Sequence, residues 1–271
     1  MVTRDGARRI DVARSVQLSL PLELKVDASD AKRRGIRISL DTLAVAAARR
    51  ARGVDCAGGM LDDACLRELE YAVVDVETTG GGWSRGHRIT EIAALRVRGD
   101  GTIVDEYRSL VNPERPIPYF ISVLTNITGE MVRDAPRFAD VAQHVARVLG
   151  GAVFVAHNAG FDWNFVGAEM DRAGVPVTGR TLCTVRLARK VVPELRSRSL
   201  DSLTGFFNIP VEGRHRAYGD ARATTELFRR LLDRLDGMEV TRWHELQTLL
   251  TRRVKKRKRL ANPHSMTEPV E

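Results

Sequence analysis

The feature that most restricts the fold is a short apolar strand that carries two acids. Residues 71–76 are rich in β-branched and aromatic side chains, which favour a buried central strand, and a Thr-Thr-Gly turn at 78–80 ends it. Because strand side chains alternate between the two faces of a sheet, Asp75 and Glu77 are predicted to share one face. Ionising two carboxylates this close together has a high free-energy cost unless a cation is bound between them. The segment therefore predicts a divalent metal site at the end of a central strand.

Composition limits the class of protein. The chain has 271 residues, of which 43% are hydrophobic and 29% charged, and this balance is typical of a globular protein. The formal net charge of +8 favours a polyanionic partner, although a soluble protein with a basic tail has the same composition. Three cysteines without zinc-site spacing indicate a reducing compartment. No apolar run approaches the roughly 18 residues that span a bilayer, so we expect a cytoplasmic protein with no membrane partner.

The N-terminal region is predicted to consist of a flexible arm, residues 1–30, and a short helical segment, residues 31–69, that precedes the main domain. Residues 1–30 show no sustained periodicity, and residues 31–69 predict short helices near 40–52 and 61–69. Within the arm, the hexapeptide at 17–22 resembles the segment by which bacterial replication and repair proteins bind the sliding clamp. That resemblance implies that Leu20 and Leu22 enter apolar pockets while Gln17 hydrogen-bonds at the rim. The alternative is a short edge strand packed on the body of the protein.

Between residues 70 and 236 the pattern predicts a domain of mixed α/β type. Three strands, at 71–76, 89–97 and 102–111, are joined by tight connections and should be antiparallel neighbours. A proline-containing loop is then expected from residue 113 to residue 129, and a further strand at 152–156. Apolar periodicity predicts helices at 138–149, 162–173, 181–191, 199–207 and 219–235. Residues 237–271 predict a short helix and a basic tail, which either neutralises phosphates or is a solvated end.

Further acids lie at two later points of the chain. Asp162 follows the strand at 152–156 and opens a helix, where an acid alone is usually a cap. His215 and Asp220 are five residues apart, on the loop before the helix at 219–235 and at its start. Because Asp162 lies just after the end of a strand predicted to neighbour the first, it is also a candidate metal ligand.

Three groups of residues resemble the motifs of the DnaQ-like DEDD exonucleases: Asp75 with Glu77, then Asp162, then His215 with Asp220. The histidine in the third group is typical of one variety of this family. The resemblance covers residues 70–236 and implies a ribonuclease-H-like fold, in which a mixed five-stranded sheet is flanked by helices and here carries N- and C-terminal extensions. It implies two Mg2+ or Mn2+ ions bridged by Asp75. Glu77 and Asp220 would complete the site of one ion and Asp162 would help hold the other, with His215 as general base.

Several residues near these motifs are candidate substrate contacts. The resemblance implies that Thr78 meets the terminal nucleotide, although a Thr-Thr-Gly segment also has ordinary turn chemistry. Phe161 is a candidate for stacking on a base or for the core, and Asn158 resembles a substrate-side residue. Trp83 follows the three consecutive glycines at 80–82 and is a candidate for stacking on single strands.

The resemblance implies a 3′-to-5′ exonuclease that releases nucleoside monophosphates from single-stranded or frayed DNA 3′ ends. Replication proofreading or DNA repair in a bacterial cytoplasm, near the nucleoid, is the expected setting, with a sliding clamp and a DNA polymerase as possible partners. An RNA exonuclease of the ribonuclease T or oligoribonuclease type is an alternative, because the metal site does not contact the 2′-hydroxyl. A non-catalytic clamp-binding adaptor is a second alternative, which the intact set of acids and His215 disfavours.

Overall fold

A computed structural model of the protein describes residues 63–252. Within this range the central element is a mixed five-stranded sheet, as the resemblance implied, with the strand order β3-β2-β1-β4-β5. The strands are β1 (Glu70–Thr78), β2 (Ile89–Arg98), β3 (Ile103–Leu110), β4 (Val153–Ala156) and β5 (Thr181–Cys183). The strand that carries the two acids is therefore the middle one.

Local sequence accounts for the antiparallel half of the sheet. As predicted, β1 pairs with β2 and β2 pairs with β3 in antiparallel register. The β2–β3 turn ends at Gly101, which donates its N–H to Arg98 O at 2.9 Å and has a φ of +88°, a conformation that glycine adopts without strain. The other half is parallel, because β4 pairs with β1 and β5 pairs with β4. Parallel pairing brings the carboxyl ends of β1, β4 and β5 to the same edge of the sheet.

Helices cover both faces of the sheet. They are α1 (Tyr119–Thr125), α2 (Gly129–Arg133), α3 (Phe138–Leu149), α4 (Gly160–Arg172), α5 (Thr184–Val191), α6 (Leu200–Phe206), α7 (Ala217–Asp236) and α8 (Trp243–Thr251). Alternate residues of β1 divide the core: Tyr71 and Val73 pack with α5 to α8, whereas Ala72 and Val74 pack with α3 and α4. Asp75 and Glu77 continue the first of these two series, so their side chains are on the face that α7 covers.

Four predicted elements differ from the structure. The expected loop at 113–129 contains α1 and the start of α2, short helices in which only Thr125 and Val132 are buried, so no apolar stripe marks them. The expected helix at 181–191 begins with β5, which is fixed by pairing with the distant strand β4. The described part of the expected helix at 61–69 forms a β-bridge from Cys65 to Arg242 and a turn. Helix α8 begins at Trp243 rather than near residue 238, after a turn in which Glu239 has a φ of +58°.

Some predictions concern residues outside the described range. They are the clamp-binding residues Gln17, Leu20 and Leu22, the helix near 40–52, and the basic tail beyond Arg252. Among residues 63–252, no helix combines the length and the apolar character that crossing a membrane requires.

Candidate active site

Three carboxylates meet at the carboxyl end of β1. Asp75 and Glu77 come from this strand, and Asp220 lies in the first turn of α7, which crosses the same face of the sheet. One carboxylate oxygen from each of the three residues lies within 4.8 Å of the other two. Oxygen ligands at such short separations suit a hard divalent cation such as Mg2+ or Mn2+. The donor set therefore fits the metal site predicted from the sequence.

The fourth acid approaches from the neighbouring parallel strand. Asp162 lies in the first turn of α4, directly after β4, and its side chain is only 3% exposed. Its Oδ1 atom accepts a hydrogen bond from the backbone N–H of Val76 at 3.2 Å, so the carboxylate contacts β1 between the two acids of that strand. The structure thus brings all four predicted acids to one edge of the sheet.

The loop before α7 holds Asp220 through hydrogen bonds to both of its carboxylate oxygens. Arg214 donates hydrogen bonds to Asp220 Oδ1 and, at 2.6 Å, to Asp201 Oδ1, and the backbone N–H of His215 donates to Asp220 Oδ2 at 3.3 Å. The side chain of His215 is exposed, and its φ of +58° turns the chain sharply toward α7. A side chain at Gly219 would overlap the carbonyl oxygens of Glu212 and Gly213, so glycine is what permits the close approach of this loop.

A buried acid of β2 fixes the beginning of α7. Glu91 is 8% exposed and lies opposite Glu77 in the β1–β2 register. It pairs with the guanidinium of Arg216 at 2.7 Å and accepts the backbone N–H of Ala217 at 2.9 Å. The first N–H groups of a helix have no partner within the helix, so this carboxylate anchors the end of α7 that carries Asp220.

Burial and mutual repulsion shift the pKa values of the cluster upward. Burial raises the pKa of Asp75 well above its ordinary value, and the neighbouring carboxylates of Asp162 and Asp220 raise it further. Burial also raises the pKa of Glu77 to about 7, with contributions from Asp220 and Glu91. The pKa of Asp162 is raised, again mainly by burial, although backbone N–H groups that donate to its carboxylate oppose the shift. The cluster therefore favours bound protons or a bound cation over bare charges.

These shifts predict how pH affects the stability of the metal-free protein. The folded-state pKa values of Asp75, Glu77 and Asp162 lie above their ordinary values near 4, so the stability that these acids contribute is present below about pH 4 and is lost as pH rises through the folded-state values. Glu77→Gln removes one of these charges. We expect the melting temperature of Glu77→Gln in EDTA, minus that of the wild type, to become more positive between about pH 5 and pH 8.

Differential scanning calorimetry at four pH values measures this difference. The comparison with the variant is needed because burial lowers the pKa of His157, and a lowered histidine pKa gives the opposite slope. Addition of Mg2+ or Mn2+ at pH 8 should stabilise the wild type more than the variant, since the cation binds the ionised cluster. A difference in melting temperature that does not change with pH would show that Glu77 carries no raised pKa.

The predicted substrate residues lie near this edge, with different surroundings. The hydroxyl of Thr78 donates to Gly80 O at 2.9 Å, which is the turn chemistry considered as the alternative. Asn158 is exposed and has a φ of +74°. Phe161 is half-buried, and its ring contacts that of Phe165 with 4.9 Å between centroids. Trp83 is 44% exposed in a single 3-10 turn after β1.

Sequence reasoning missed two residues that hold the site together, Arg214 and Glu91. The available signal for Arg214 was its place beside His215, since a cation next to an acidic motif can form an ion pair with it. The signal for Glu91 was a single acid within the apolar run at 89–97, because a buried acid requires a partner.

Comparison with known proteins relates this geometry to nucleases. Residues 72–228 match the sequence model of the RNase T family, described as exonuclease. The PolC-type DNA polymerase III of Caldanaerobacter subterraneus subsp. tengcongensis is 37% identical over 186 residues, which make up 69% of this chain and 13% of the polymerase. The 3′-5′ exonuclease DinG of Bacillus subtilis is 35% identical over 185 residues, which make up 68% of this chain and 20% of DinG. The chain thus spans a fifth or less of the length of these two curated relatives.

For one solved structure, the match covers a much larger share of the related protein than it does for the two curated relatives. Exonuclease X, determined in complex with 5′ overhanging duplex DNA, superposes with a TM-score of 0.52 and 30% sequence identity. The match covers 67% of this chain and 99% of that chain. The described fold is therefore similar to nearly all of that nuclease.

Proposed function

Because the chain belongs to the RNase T family of exonucleases, we propose that it is a metal-dependent 3′-to-5′ exonuclease acting on single-stranded or frayed DNA 3′ ends. The observation that carries this proposal is the meeting of Asp75, Glu77 and Asp220 within 4.8 Å, with Asp162 against the same strand. The 3′-to-5′ direction is supported by similarity to DinG, which is named as a 3′-5′ exonuclease. DNA as substrate is supported by similarity to the PolC-type polymerases and to exonuclease X bound to DNA.

Each side chain of the site has a role in this reaction. The four acids would hold Mg2+ or Mn2+ ions, which when bound supply an activated water and stabilise the negative charge that develops at phosphorus and on the leaving oxygen. His215 accepts the proton of the attacking water on an imidazole nitrogen. The terminal P–O3′ bond breaks, so the products are a nucleoside 5′-monophosphate and a strand with a new 3′-hydroxyl. Arg214 and Glu91 keep Asp220 in place.

Exposed aromatic side chains at the start of α1 and after β1 support single-stranded DNA as the substrate. Tyr119 and Phe120 are 85% and 67% exposed at the start of α1, and Trp83 is 44% exposed after β1. The two segments are connected, because Arg115 donates a hydrogen bond to Gly86 O. Unpaired bases stack on aromatic rings of this type, whereas bases within a duplex do not present their faces.

The proposal is tested with 5′-labelled DNA and RNA strands of equal sequence, each with Mg2+, Mn2+ or EDTA. We expect a metal-dependent ladder that shortens from the 3′ end of DNA, faster on a frayed end with three mismatches than on a matched duplex. Preference for the RNA strand would instead indicate an enzyme of RNA turnover. Absence of cleavage on both strands would favour the non-catalytic adaptor.

We infer replication proofreading or DNA repair as the setting, with the segment at 17–22 tethering the enzyme to a sliding clamp. Gln17→Ala combined with Leu20→Ala removes the rim hydrogen bond and one apolar anchor, so clamp affinity should fall by on the order of a hundredfold. Surface plasmon resonance on immobilised bacterial clamp measures this, and cleavage of short oligonucleotides without clamp should be unchanged. Leu24→Ala, just beyond the hexapeptide, is the matched control. Equal clamp binding by wild type and double variant would exclude the tether.

A further inference from the structure

Helix α5 presents a row of cations on its exposed side. Its buried side consists of Leu187, Ala188 and Val191, which pack in the core with α7 and α8. Arg186, Arg189 and Lys190 are spaced i, i+3 and i+4, so they share the opposite side of the helix. Both arginines are exposed and the lysine is half-buried.

Two further cations extend this row. Arg196 is exposed in the loop that follows α5, and Arg252 is exposed at the end of α8. The backbone carbonyl of Arg252 accepts a hydrogen bond from Lys190 Nζ, which places the two residues side by side. We call the five residues the α5 basic surface: Arg186, Arg189, Lys190, Arg196 and Arg252.

Most of this surface lacks compensating acids. Elsewhere arginines pair closely with carboxylates, as Arg88 does with Glu169 at 2.6 Å. Within residues 63–252, by contrast, none of the four arginines of the α5 basic surface forms an ion pair. The nearest acid along the chain, Glu194, pairs with Arg234 of α7 at 2.9 Å. Like charges at helical spacing destabilise a helix, and a polyanion relieves this repulsion.

Helix α5 begins next to the segment that leads to Asp162. Thr184, the first residue of α5, has its hydroxyl 2.9 Å from His157 Nδ1, in the segment between β4 and α4 that leads to Asp162. The eight residues of α5 extend about 12 Å away from this point. A strand whose 3′ end lies at the four acids therefore has a row of cations within reach of its next phosphates.

We propose that the α5 basic surface binds the phosphate backbone of the substrate strand on the 5′ side of the nucleotide being removed. This inference rests on the proposed function and adds a second contact region to it. Arginines that neutralise phosphates release counterions and supply affinity that does not depend on base sequence. The surface thus makes longer strands better substrates without changing the chemistry at the terminal phosphodiester.

The test compares two triple variants with the same change in charge. Arg186→Gln/Arg189→Gln/Arg196→Gln alters the surface, and Arg98→Gln/Arg133→Gln/Arg222→Gln alters three exposed arginines outside it. Fluorescence anisotropy with a 24-nucleotide single strand in EDTA is measured from about 50 to 300 mM KCl. We expect the first variant to bind ten- to a hundredfold more weakly, with a slope of log affinity against log salt that is flatter by about two. The second variant should stay near wild type.

Two further measurements distinguish an effect of this surface on strand binding from an effect on hydrolysis at the active site. Hydrolysis of the p-nitrophenyl ester of thymidine 5′-monophosphate, which has no strand beyond the site, should be equal in all three proteins. The labelled-strand assay decides the proposed function, whereas the binding comparison in EDTA decides the role of the surface. Arg186→Lys/Arg189→Lys/Arg196→Lys keeps the charges and should keep the salt slope. Equal weakening of both glutamine variants, or wild-type binding by the first, would overturn the proposal.

Discussion

Asp75→Asn is expected to lower the rate of DNA hydrolysis by on the order of a thousandfold or more, because several kcal/mol of transition-state stabilisation depend on the bound cations. One carboxylate oxygen of Asp75 lies within 4.8 Å of oxygens of Glu77 and Asp220, and the charge of Asp162 also raises its pKa. Asparagine keeps the size of the side chain but supplies a neutral and weaker ligand to a divalent ion. Single-turnover cleavage of a 5′-labelled strand at saturating Mg2+ measures the loss, and calorimetric titration with Mn2+ measures the accompanying decrease in metal affinity.

The same variant has an expected effect on stability that distinguishes lost chemistry from lost folding. Removing a charge whose pKa is raised should increase the melting temperature of the metal-free protein near pH 8. Asp171→Asn is the matched control, since Asp171 is exposed on α4, and both its rate and its melting temperature should be those of wild type. Cleavage by Asp75→Asn at a rate within tenfold of wild type would remove this residue from the metal site.

Elements with a local signal could be predicted from the sequence. The alternation along β1 placed Asp75 and Glu77 on one face, and the periodicity at 138–149 gave both ends of α3. In each case the residues that specify the element lie within the element, so a short window is sufficient. The antiparallel order of β1, β2 and β3 followed from their tight connections.

Elements that depend on distant contacts could not be predicted in this way. Thr181–Cys183 is a strand because it pairs with Phe154–Ala156, and its composition alone suited a continuation of helix α5. Arg214 has no distinctive spacing in a chain with 43 basic residues, and only the folded arrangement pairs it with Asp201 and Asp220. The position of Asp162 after a predicted strand made it a candidate ligand, but the grouping of Asp220 with the β1 acids was implied by the family resemblance and by no local pattern.

His215→Ala is expected to reduce the rate of hydrolysis by roughly 10²–10⁴-fold while leaving metal binding intact, which is the usual contribution of a general base. The structure gives a reason for the separation of these effects. The backbone N–H of His215, rather than its side chain, holds Asp220 Oδ2, at 3.3 Å, and the side chain is exposed. Truncation therefore removes a proton acceptor and leaves the support of the carboxylate in place. Imidazole exchanges protons near neutral pH, so it suits this task.

The measurement pairs single-turnover rates with Mn2+ titration calorimetry, because the expected result is a large change in the first and none in the second. His144→Ala is the matched control, since this exposed histidine stacks on Tyr107 of β3 and should not affect cleavage. Addition of imidazole to the buffer should restore part of the rate of His215→Ala, whereas a residue with only a structural role would not be rescued. A rate close to wild type would show that another group takes the proton of the attacking water, and equal losses of rate and metal affinity would make His215 a support for Asp220 instead of a base.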